Sequence, residues 1–119
     1  MIDLPQSGLD PAAFARLERT LSREQLHALL RRVLEKAPLS VGSASIAYAG
    51  REMYALAEAA KALEAIAEEV CALRLTDMCR RLYGAAIGGD KAGCTQLVTA
   101  LDGEWDAVKA AIEVRLRRG

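Results

Sequence analysis

Apolar residues recur at steps of three and four along nearly the whole chain, the spacing that puts side chains on one face of a helix. Phe14, Leu17 and Leu21 mark a short first helix, which Asp10 and Pro11 open as N-cap and first-turn residue. Ser22 with Gln25 three residues later is a capping-box signature for the next helix. That helix carries Leu26, Leu29, Leu30, Val33, Leu34 and Ala37 on one stripe, opposite a solvated face of Arg23, Arg31, Arg32, Glu35 and Lys36. Pro38 and Gly42 interrupt the pattern, yet the spacing continues in phase through Val41, Ala44 and Tyr48. One bent helix from about Arg23 to about Ala49 and two shorter helices both fit. Gly50 is expected just past the end, as the C′ residue.

The organising stretch follows. Met53, Leu56, Ala60, Leu63, Ala67 and Val70 form a buried stripe, and the opposite side is expected to present Lys61 and Glu64 between the small residues Ala57 and Ala65. No glycine or proline stands between Gly50 and Gly84, so the periodicity allows a single helix from Glu52 to Tyr83. A break near Cys71 is the alternative, with Thr76 and Asp77 capping a second helix whose core face is Leu75, Met78, Cys79 and Leu82. Gly88 and Gly89 are expected to end that segment and Asp90 to cap the last helix. There Cys94, Leu97, Val98, Leu101, Trp105, Val108, Ile112 and Leu116 alternate at steps of three and four. Nothing reads as a strand. The expected fold is all-α: an antiparallel bundle of about four longer helices with one short N-terminal helix, residues 10–119 forming a single domain after a lead-in at residues 1–9.

Composition narrows the function classes. The chain has 119 residues, 52% of them hydrophobic, enough for one real core. Sixteen basic residues balance sixteen acidic ones, so no bulk field draws in nucleic acid or an anionic membrane. Arg115, Arg117 and Arg118 suit the negative end of a helix dipole. Cys71, Cys79 and Cys94 lack Cys-x-x-Cys spacing and read as reduced, buried or half-buried thiols of a cytoplasmic protein. The lone His27 lies on another helix, so no metal site is expected. The glycine-rich patch from Gly84 to Gly93 lacks the Gly-Lys-Ser/Thr ending of a phosphate loop. No catalytic constellation is legible, no cofactor is implied, and neither a secretory leader nor a membrane span is recognisable.

Three segments nonetheless resemble one family. They are Val33-Leu34-Glu35-Lys36-Ala37-Pro38, Ala55-Leu56-Ala57-Glu58-Ala59-Ala60-Lys61-Ala62-Leu63 and Leu75-Thr76-Asp77-Met78-Cys79-Arg80-Arg81-Leu82. Together with the Gly89-Asp90 turn and Trp105, they are similar to the histidine-containing phosphotransfer (HPt) domains, the helical-bundle carriers of phosphorelays. The resemblance runs from Val33 to Trp105. It implies an HPt-type four-helix bundle and a partner that is a response-regulator receiver domain or a hybrid sensor kinase.

The departures concern the chemistry. Where the family carries its phospho-accepting histidine this chain has Lys61; Glu64 replaces the lysine of the next turn, Ala65 the glycine that admits a receiver, and Tyr83 the glutamine or glutamate that bonds the histidine. Cys71 stands where a glycine usually ends the helix. Phosphoryl transfer from an aspartyl phosphate needs a nitrogen lone pair, which an exposed lysine ammonium does not offer. The resemblance therefore implies a non-catalytic, pseudo-HPt protein that docks a receiver through Ala57, Glu58, Lys61, Glu64, Ala65, Glu68 and Tyr83 without relaying phosphate. The alternatives are a reused bundle that binds an unrelated protein, a homodimer packing through the face of Ala55, Ala57, Ala59, Ala62 and Ala65, and a phosphocarrier that uses His27.

Overall fold

The structure is a computed structural model and describes residues 5–119. Five helices and no strand appear among the described residues: α1 (Pro11–Thr20), α2 (Arg23–Ala49), α3 (Met53–Glu69), α4 (Leu73–Ile87) and α5 (Lys91–Arg117). α3 packs on α2 and α4, and α5 packs on α4 and α2. The core between them is built from Leu30, Val33, Leu56, Leu63, Leu75, Leu82, Leu101, Val108 and Ile112, all essentially inaccessible to solvent. No described helix is long and apolar enough to cross a membrane.

α2 is one uninterrupted helix of 27 residues, with Pro38 inside it. Proline removes one backbone donor and crowds the preceding turn. Pro38 is exposed, on the side away from the core, while Val33, Ala37, Val41 and Ala44 hold the buried stripe in phase. The caps at Ser22 and Asp10 form as the sequence predicts: the Asp10 carboxylate accepts from the Ala13 N–H at 2.9 Å, and Ser22 and Gln25 close a complete capping box.

The long helices are joined by three connections of three residues each, all with a left-handed middle residue. Gly50, Val70 and Gly88 are the C-caps, Gly50 and Gly88 right-handed and Val70 at φ −112°, ψ 15°; Arg51 (φ 57°), Cys71 (φ 59°) and Gly89 (φ 72°) are left-handed; Glu52, Ala72 and Asp90 are the N-caps of the next helices. Each connection closes with paired hydrogen bonds. The Arg51, Cys71 and Gly89 N–H groups donate to the carbonyls of Tyr48, Glu68 and Ala86. The Glu52, Ala72 and Asp90 N–H groups donate to those of Ala47, Ala67 and Ala85, one residue nearer the helix start. This pairing satisfies carbonyls that a helix end leaves open.

Two sequence expectations are corrected here. Gly50 is the right-handed C-cap and the left-handed residue is Arg51. Of the two readings of the stretch after Gly50, the chain adopts the break near Cys71, at Val70–Ala72, and the cap of α4 is Ala72 rather than Thr76 or Asp77. Thr76 is buried with its hydroxyl donating to the Ala72 carbonyl at 2.9 Å, and Asp77 pairs with Arg81 four residues on at 2.9 Å.

The lead-in is fastened to the bundle from Ser7 onward; residues 1–4 of the expected lead-in lie outside the described residues. Glu104 on α5, only 7% exposed, accepts from the Ser7 hydroxyl at 2.7 Å and from the Gly8 N–H at 2.9 Å, with the Arg74 guanidinium 3.7 Å away. Gly8 is buried with φ 81°, a conformation that a Cβ disfavours, and it lies against Ala107 and Ala111 of α5. The Asp10 N–H then donates to the carbonyl of Cys71 at 2.8 Å, which ties the start of α1 to the α3–α4 turn. Phe14 enters the core, and Arg115 of α5 grips Glu18 at 2.6 Å.

Glycine at a left-handed position escapes the clash of a Cβ with the following carbonyl, offset in part by the entropy it restores to the unfolded chain. Arg51→Gly should therefore raise stability by about 0.5–1 kcal/mol in chemical melts. Cys71→Gly should gain less, because its side chain is half-buried. Glu104→Ala should cost about 2–4 kcal/mol, since it removes two charge-assisted bonds and leaves the Gly8 N–H unmet. Hydrogen exchange at Gly8 and Asp10 should accelerate in that variant more than exchange in the middle of α4.

Candidate docking face on the third and fourth helices

α3 is poor in large side chains where it meets its neighbours. Ala57, Ala59, Ala60 and Ala67 are all buried beside Leu56 and Leu63, because α3 lies against both α2 and α4 and so hides a wide arc. This corrects two expectations. Ala57 is 1% exposed rather than on the free side. The alanine stripe is split: Ala57 and Ala59 are used within the molecule, whereas Ala55, Ala62 and Ala65 face solvent.

What remains open is a groove between α3 and α4. Tyr54, Glu58, Lys61 and Ala62 of α3 line it with Tyr83 and Ile87 of α4, and Ala57 forms part of its floor. Tyr54 and Lys61 are seven residues apart and Tyr83 and Ile87 four apart, so each pair shares one helix face. The Lys61 ammonium lies over the Tyr83 ring, 5.5 Å from its centroid, within reach of a cation–π attraction. Tyr54 is 73% exposed, Ile87 57% and Tyr83 37%, an unusual amount of apolar surface beside a single cation. The Tyr54 phenol is held above its ordinary range, first by hydrogen bonding to Glu58 and then by that carboxylate's charge.

Two of the carboxylates expected on the docking face beside Lys61 are paired with a cation of α4. Glu64 accepts from Arg80 Nε at 3.0 Å, and the same guanidinium reaches Glu68 at 3.4 Å. Arg80 on α4 therefore pairs with two α3 carboxylates, a group that keeps one net negative charge, and they in turn hold its proton more tightly than usual. Glu69 is paired with Arg32 of α2 at 3.1 Å. Such exposed pairs are each worth only about 0–1 kcal/mol. Their effect on the face is to leave Lys61 without an ion-pair partner among the described residues, in a shallow concavity shared with Glu64, Ala65, Glu68 and Glu69.

Of the residues expected on this face, the structure brings Ala57, Glu58, Lys61 and Tyr83 into one groove and Lys61, Glu64, Ala65 and Glu68 into the adjoining hollow. The sequence reading missed Tyr54, Arg80 and Ile87, and placed Ala62 only on the alanine face. The spacing of Tyr54 to Lys61 and of Tyr83 to Ile87 could have found the first and third; Arg80 could not be found without knowing that α4 lies beside α3.

The cysteines offer no reactive counterpart. Burial pushes the Cys79 thiol up to about 12 and raises those of Cys71 and Cys94, so none is a ready thiolate. No group of three metal-ligating side chains occurs among the described residues.

His27 lies elsewhere, half-buried on α2, with its Nε2 shut from solvent and without a hydrogen-bond partner among the described residues. Desolvation, then Arg23, Arg31 and Arg115, hold its pKa below the ordinary 6.5. The unfolded chain takes up that proton more readily, so the stability linked to His27 is complete above the ordinary value and is lost as pH falls below it. Denaturant melts between about pH 7.5 and 5 should show this loss, and His27→Gln should flatten the slope relative to the parent protein. No family model, curated protein or solved structure matches this chain, and the chemistry of its own surfaces carries the functional reading.

Proposed function

We propose that the protein is a pseudo-HPt module: an antiparallel four-helix bundle of phosphotransfer type that docks the receiver domain of a response regulator or hybrid sensor kinase and does not relay phosphate. The observation that carries the reading is the placement of Lys61 over Tyr83 in an apolar groove, at the two positions where the resemblance puts the phospho-accepting histidine and its hydrogen-bonding partner. Tyr54, Tyr83 and Ile87 supply apolar contact area, and pairing with Arg80 offsets half of the negative charge of Glu64 and Glu68 beside it.

Lys61 then acts as a fixed cation. Docked opposite a receiver's acidic pocket, its ammonium pairs with the unphosphorylated carboxylates and holds the regulator in that state. A lysine ammonium has three donors and no lone pair, so it binds where a histidine would have attacked. The His27 imidazole is no substitute, with Nε2 enclosed and three guanidiniums around it.

Binding to an unphosphorylated receiver, followed by calorimetry, should weaken as salt rises from about 50 to 500 mM, because the pairing is between charges that salt screens. Lys61→Glu should weaken it by about 30-fold or more, the scale expected for a reversed interfacial charge. Unchanged affinity in that variant overturns the proposed contact. Acid-labile label recovered on the protein after incubation with a phosphorylated receiver overturns the non-catalytic reading.

A further inference from the structure

A second concavity lies away from the Lys61 groove, where the α2–α3 turn meets the first turns of α5. Its volume is about 500 Å³, and it is lined by Tyr48, Ala49, Arg51, Met53, Lys91 and Thr95. That size falls within the range of small-molecule sites. Arg51 and Lys91 come from different elements, and neither is in an ion pair among the described residues. No carboxylate among the described residues lines the cavity. The two nearest in sequence are Glu52, which lies against Gly50, and Asp90, whose oxygen is taken by the Gly93 N–H at 3.0 Å.

The polar wall has a donor that can be redirected. The Thr95 hydroxyl gives its proton to the Lys91 carbonyl at 3.0 Å, so the Tyr48 hydroxyl donates to Thr95. A phenol proton rotates freely and can turn from Thr95 to a ligand oxygen. The rest of the lining is the Tyr48 ring, the Ala49 methyl and the adaptable thioether of Met53, surfaces suited to an apolar body. Arg51 stands at φ 57°, in the place that Gly89 occupies in the equivalent α4–α5 turn, and that turn carries its guanidinium to the cavity wall.

We propose that this cavity binds a small ligand that joins an oxyanion to an apolar or aromatic body. Arg51 and Lys91 hold the oxyanion from two sides, with Arg51 offering a planar fork of donors, Tyr48 adds a hydroxyl, and Met53 packs on the apolar part.

Phenyl phosphate, benzoate and inorganic phosphate serve as probes, titrated into the whole protein while backbone amide shifts are followed. Phenyl phosphate or benzoate should shift residues 48–53 and 91–95 together and saturably, the tighter of the two naming the head group, and inorganic phosphate should bind more weakly than phenyl phosphate. Arg51→Gly should weaken binding tenfold or more while its melting temperature rises, so lost binding cannot be ascribed to lost folding. Lys91→Gln should weaken binding without moving stability, and Tyr48→Phe should weaken it less. Absence of saturable shifts at both segments, or undiminished affinity in a well-folded Arg51→Gly variant, overturns the site.

Discussion

Everything in this molecule depends on reversing the chain within three residues, three times. At 50–52, 70–72 and 88–90 a left-handed residue set between a helix's C-cap and the next helix's N-cap ends one helix and starts the next, with paired hydrogen bonds to the outgoing helix's last carbonyls. Such a turn leaves no slack, so helix lengths and phases must agree with one another. The 17 residues of α3 and 15 of α4 are matched so that Leu56 and Leu63 meet Leu75 and Leu82 in one core. It also forces residues into left-handed backbone whether or not they are glycine. Gly89 adopts it without strain; Arg51 and Cys71 adopt it because the packing on either side outweighs about 1–2 kcal/mol of local discomfort.

The alanines of α3 are the second constraint. A central helix flanked on two sides is buried over a wide arc, and small residues let its neighbours approach closely. α2 and α4 then stand near enough for their arginines to reach α3's glutamates. Arg32 takes Glu69, while Arg80 takes Glu64 and Glu68. The surface consequence is electrostatic. Carboxylates that would have pinned Lys61 are occupied, and the lysine is left over an aromatic ring at the lip of an apolar groove. Docking and charge presentation on this face thus follow from packing underneath it.

The N-terminal segment closes the structure on itself. One buried carboxylate, Glu104, receives Ser7 and Gly8, and one carbonyl, that of Cys71, receives Asp10. A carboxylate at this depth is tolerated because its oxygens are hydrogen-bonded and a guanidinium stands nearby. The same contacts anchor α1, a helix too short to be stable alone.

Much of the fold was legible in the residues. The Asp10 and Ser22 caps, the in-phase stripe that carries α2 through Pro38, the Gly88-Gly89-Asp90 turn and the long apolar face of α5 are all local signals, set by side-chain spacing and by groups within four residues of one another. The break near Cys71 was legible only as one of two readings, because it contains neither glycine nor proline and its left-handed residue is held by tertiary packing. Lys61 and Tyr83 could be named from the sequence by resemblance, but not the groove that joins them, nor the roles of Tyr54, Ile87 and Arg80. Helical periodicity says which side of a helix is apolar. Only the arrangement of α2, α4 and α5 around α3 decides how wide the buried arc is, which charges meet across it, and which remain free to meet a partner.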